Sequence, residues 1–94
     1  MSSFTLNALT QDTFNKLLSE MRNQGTAIGD PSTAPGNGVQ YLMEGPTPLG
    51  NVKAAVLYYP GAQMATVNIL NKPMFVPSSA IEQKVRDAVA IARG

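Results

Sequence analysis

The chain has no cysteine and no histidine, and each absence closes off a class of chemistry. Without cysteine, no disulfide can brace a small fold. Without histidine as well, a structural zinc site loses its two main ligands. Thiol nucleophiles, imidazole acid–base catalysis and any Ser-His-Asp arrangement are excluded. Charge is also scarce. Asp, Glu, Lys and Arg make up 14% of the residues, where ordinary soluble domains carry about a quarter, and the neutral surface that results favours association. Seven basic and six acidic residues balance to +1, which gives no drive toward nucleic acid or an anionic membrane. No apolar run reaches the roughly 20 residues of a membrane span. The opening "MSSFTLNALTQD" lacks the basic and long apolar regions of a secretory signal. A cytoplasmic protein with no membrane partner, no metal and no cofactor is therefore expected.

What remains fits a single small domain over residues 1–94. A chain this short buries about two-thirds of its unfolded surface, so its core is modest, and self-association is the remaining way to add stability.

The elements follow from spacing. Phe14, Leu17, Leu18 and Met21 sit at i, i+3, i+4 and i+7, one stripe of a helix. Thr10 suits its N-cap, Leu9 and Phe14 are spaced as a hydrophobic staple, and Gly25 suits the exit, which predicts a helix over 11–24. Gly25 to Gly38 holds four glycines and two prolines and little to bury, so a flexible loop is expected; a ligand-covering loop is the alternative. Residues 39–44, 52–59 and 64–70 read as strands. The "FTLNAL" stretch, 4–9, is either a short strand or an arm across the core. Ser79 and Glu82 have capping-box spacing ahead of a second helix, whose buried stripe is Ile81, Val85, Ala88, Val89 and Ala92. The expected fold is α+β in two layers, order α-β-β-β-α, with a three-stranded antiparallel sheet packed on two helices.

The hairpin can be registered from its turn. Either a type II′ turn at Gly61-Ala62 or a four-residue loop, 60–63, places Val56 opposite Val67, Ala54 opposite Ile69 and Tyr58 opposite Ala65. That face is apolar and belongs to the core. The other face pairs Tyr59 with Met64, Leu57 with Thr66, Ala55 with Asn68 and Lys53 with Leu70, and Tyr41 is placed on that side too. Leu57, Tyr59, Met64 and Leu70 are large apolar residues on a face the helices do not need, so they are the candidate interaction site. The partner expected there is a protein, a second copy or another chain, unless the 4–9 arm covers the face.

Catalysis would have to come from Asp12, Glu20, Asp30, Glu44, Glu82 or Asp87 with the tyrosines. Helix capping and dipole roles account for most of these. Glu44 is the only carboxylate at a strand end beside a Gly-Pro turn, Gly45-Pro46, and active-site residues often sit on loops. No enzyme activity is expected; a carboxylate-dependent enzyme or ligand binder is an alternative.

The helix–three strands–helix order is similar in topology to double-stranded-RNA-binding domains. "EGPTPLGN" stands where those domains carry a Gly-Pro loop, and "SSAIEQK" where their second helix starts. The likeness spans Val39 to Ala92. It implies a weak duplex-RNA contact at that helix start, but the basic cluster would fall on Ala80 and Ile81, leaving Lys84, and the loop histidine is absent. Most phosphate-contacting charge is therefore missing. Nucleic-acid binding is not expected, and the main reading is a non-catalytic protein-interaction or self-association module.

Overall fold

The first helix, α1 (Gln11–Asn23), obeys its local sequence in a computed structural model that describes residues 2–94. Thr10 Oγ1 accepts from the Thr13 amide at 3.2 Å, satisfying one of the free first-turn donors. Leu9 and Phe14, the staple pair, are both fully buried. After the Gln24 cap, Gly25 takes φ +94°, a conformation in which any Cβ would be strained.

The sheet departs from expectation. It has six strands, not three, and the chain order is β1 (Ser3–Leu6), α1, β2 (Ala27–Ile28), β3 (Ser32–Ala34), β4 (Gly38–Thr47), β5 (Gly50–Tyr59), β6 (Met64–Asn71) and α2 (Ser78–Arg93). The predicted antiparallel meander is its centre, β4–β5–β6. The three extra strands are short and lie at the edges, where β6 and β4 would otherwise present unpaired amides and carbonyls. β1 pairs with β6, setting Phe4 opposite Val67 and Leu6 opposite Ala65. β2 and β3 both pair with the far edge of β4. The Gly/Pro-rich stretch 25–38 thus supplies two strands. The 4–9 arm extends the sheet sideways instead of covering its outer face.

The hairpin register holds over most of its length: Val56 faces Val67, Tyr58 faces Ala65, Ala54 faces Ile69 and Leu57 faces Thr66. Tyr59 and Met64 close a four-residue loop whose left-handed residue is Gln63, φ +51°, not Gly61. One pair is corrected. A bulge beside Ala54 sets Lys53 opposite Asn71, leaving Leu70 as the extra residue.

Both helices cover one sheet face. There Val52, Val56, Tyr58, Val67 and Ile69 meet Phe14, Leu17 and Leu18 of α1 and Ala88, Val89 and Ala92 of α2 in one buried cluster. The Phe14 ring stacks on Tyr58 at 4.0 Å between centroids and tilts against Tyr41 at 5.6 Å. Tyr41 therefore belongs to the helix side, opposite Val56, and not to the outer face. The buried Tyr58 hydroxyl donates to the Leu9 carbonyl at 2.7 Å, so it carries no unmet hydrogen bond. Burial pushes its phenol above the ordinary value of 10.0.

The capping box predicted at Ser79 and Glu82 does not form. Pro77 holds the cap position with no side-chain bond, and the helix already includes Ser78. Ser79 is therefore inside the first turn, two residues too late to cap. Glu82 instead pairs with Arg86 at 2.9 Å. Arg93 Nη2 donates to the Asn7 carbonyl at 2.6 Å and Arg86 Nη2 to the Thr5 carbonyl at 3.4 Å. Through these bonds α2 holds β1 and the crossing that follows it.

Candidate functional site

Of the four residues singled out from the sequence, Leu57, Tyr59 and Met64 lie on the helix-free face and Leu70 stands at the bulge, so the four do not form one patch. Leu57, Tyr59 and Met64 are half-buried, and Leu70 is exposed at the opposite end of β6 from Met64. Gln40 and Thr66 flank Leu57 across the strands, and Asn68 flanks Ala55. Polar side chains therefore interrupt the apolar ones. Tyr59 packs over Gly38 so closely that a Cβ there would come within 2.6 Å of its ring. With Met64 it lines a hollow of about 300 Å³ at the hairpin turn.

A larger concavity lies on the other side, between the helices and the sheet. It holds about 470 Å³ and is lined by Met21 of α1, Ile81, Lys84 and Val85 of α2, Met43, Val52 and Ala54 of the sheet, and Leu49, Phe75 and Val76 of the loops. Its origin is geometric. A ten-residue strand runs about 33 Å, whereas the thirteen residues of α1 span about 20 Å. The β4–β5 hairpin therefore continues beneath the end of α1, where Gly45, Ala54, Ala80 and Ala88 bring little volume. Protein cores normally fill such space. Ile81 and Val85, expected to be buried, are only half-buried because they face it. At the cavity Phe75 is 81% and Leu49 61% exposed.

The polar lining is sparse and mostly committed. Thr47 Oγ1 donates to the Gly50 carbonyl at 2.6 Å and accepts from the Leu49 amide. Gln24 donates to Glu20 at 3.0 Å. Among the described residues Lys84 is the one charged residue of the lining and makes no ion pair.

The carboxylates stand elsewhere. Asp12 pairs with Lys16, Glu82 with Arg86, Glu44 accepts from Asn51 and Asp87 from Gln83. None lines the cavity. No three Asp or Glu side chains gather as a metal site among the described residues. The basic residues disperse too: Arg86 and Arg93 serve β1, while Lys84 faces the cavity. No described helix is long and apolar enough to cross a membrane.

Compared with protein-family models, curated proteins and solved structures, the chain matches none.

The cavity was not read from the sequence, although two signals bear on it. Alanines occupy inward positions of the second helix and of the 52–59 strand, and the apolar run Met74-Phe75-Val76 stands between two prolines outside the predicted elements. Neither signal separates a loose core from a binding space without knowledge of how far the sheet overhangs the helices.

Proposed function

We propose that the protein is a non-catalytic binding module that takes an apolar guest into the space between its helices and its sheet. The observation that carries this reading is the open cavity of about 470 Å³ with Leu49 and Phe75 exposed beside it. Ligand pockets span about 300–1,000 Å³ and are mostly apolar with a few placed polar groups. The scattered carboxylates, none of which lines the cavity, argue against an acid–base pair, because such a pair needs two groups converging on one substrate atom. A neutral solvatochromic dye, Nile red, tests the reading. Wild type should bind it saturably with a blue-shifted emission. Val85→Phe, which adds volume to the lining, should weaken that binding at least tenfold, and Leu57→Lys should leave it unchanged. Equal binding by all three proteins, or none by wild type, would refute the assignment.

A second reading concerns the outer sheet face as a protein contact. It is favoured by the edge position of β1, which leaves that face uncovered, and by the exposure of Leu42 and Leu70. A folded, monomeric Leu57→Lys variant of a dimeric wild type, seen by light scattering, would establish it. A monomeric wild type with no captured partner would remove it.

A further inference from the structure

We infer that the guest is an anionic amphiphile, a single aliphatic chain whose acidic headgroup is held at Lys84; this deepens the cavity reading and rests on it. The inference comes from the distribution of charge. Among the described residues Lys84 is the only charged one lining the space, and no carboxylate lines it. Two of the three uncharged polar side chains of the lining are already used, and the third, the Thr26 hydroxyl, carries no charge to rival Lys84 for an acidic headgroup. The Thr47 hydroxyl closes the β4–β5 turn, and the Gln24 amide is bonded to Glu20. The Lys84 ammonium has no ion-pair partner among the described residues. A lysine so placed can lay its apolar stem along Ile81 and Ala88, its neighbours on the same helix stripe, and keep its ammonium in water.

A neutral hydrocarbon would leave that cation unused. A cationic amphiphile would meet like charge with no carboxylate to relieve it. An anionic one matches both parts of the site: the chain replaces water along Val52, Ala54 and Val85, and the headgroup stays hydrated beside Lys84. The match is chemical and does not separate carboxylate from sulfate. The exposed mouth also explains why the headgroup need not be desolvated, which avoids the cost of burying a charge. Burial of the chain brings about 0.8 kcal/mol per methylene, so the chain supplies affinity and Lys84 supplies selection.

The test compares three probes of one chain length, dodecanoate, dodecan-1-ol and dodecyltrimethylammonium, each displacing Nile red below its micelle concentration at low salt. Wild type should prefer dodecanoate to the alcohol by about five- to tenfold, the range of an exposed charge-assisted contact, and should bind the ammonium probe most weakly. Lys84→Gln should erase the preference, bringing dodecanoate to the affinity of the alcohol. Lys84→Glu should turn it toward the ammonium probe. Dodecyl sulfate, run as a fourth arm, should follow dodecanoate in every protein. Equal affinity for all probes, unmoved by Lys84→Gln, would overturn the headgroup assignment and leave the cavity reading standing. Failure of wild type to bind the dye or the alcohol would overturn both. A wild-type dimer that admits no probe, and that Val85→Phe converts to a monomer, would place a second copy in the groove and overturn both as well.

Discussion

Tyr58 ties three parts of the molecule together. Its ring stacks on Phe14 of α1, its backbone lies in β5, and its hydroxyl reaches the Leu9 carbonyl ahead of α1. Tyr58→Phe strands a buried carbonyl, so a loss of about 1–2 kcal/mol is expected, measurable by urea titration at neutral pH. The pH dependence has a definite sign. The folded phenol is raised above the ordinary 10.0. Its stabilisation is therefore whole below pH 10 and falls as the pH climbs from there toward the folded value, because the unfolded state releases the proton first. The gap between wild type and Tyr58→Phe should narrow above pH 10; a constant gap would show that Tyr58 titrates alike in both states. Gly38 is a second informative position, for its closeness to another side chain and not for an unusual φ. Gly38→Ala should cost about 1–3 kcal/mol by overpacking against the Tyr59 ring, and Tyr59→Ala in the same chain should recover much of it. Full additivity of the two changes would contradict that contact.

At the scale of elements, legibility divided along local and non-local lines. α1 was readable because its stripe, cap and exit lie within sixteen consecutive residues. Thr10→Ala should lower stability by about 1 kcal/mol, as thermal unfolding would record, and an unchanged midpoint would mean the cap contributes nothing. The hairpin was readable for the same reason, since Pro60–Gln63 fixes register from a short loop. β2 and β3 were not. Two or three residues of Ala-Ile or Ser-Thr-Ala carry no period, and they are strands only because the edge of β4 is there to receive them. β1 was ambiguous until β6 was placed beside it. The tether from Arg93 to the Asn7 carbonyl predicts that Arg93→Ala speeds amide exchange throughout β1 and leaves β5 protected. Uniform exchange changes, or none, would mean the arginine does not secure that edge.

For the whole molecule, the sequence placed two helices on an apolar sheet face but gave no measure of their fit. Binary patterning asks only that a face be apolar. It does not report that ten-residue strands outrun a thirteen-residue helix, or that alanines meet beneath the gap. Patterning could place Leu57, Tyr59 and Met64 on the outer face for that reason, and could not reveal the cavity. A space left by poor fit should respond to filling: Val85→Phe should leave stability unchanged or raise it by up to about 1 kcal/mol, where the same change in a dense core would cost about 1–3 kcal/mol. The most direct test of the cavity as the binding site is methyl NMR of the wild-type chain titrated with dodecan-1-ol. Saturable shifts are expected at Val52, Ile81 and Val85, with Leu42, Leu57 and Leu70 unmoved. Shifts confined to the outer-face leucines would contradict the cavity as the binding site.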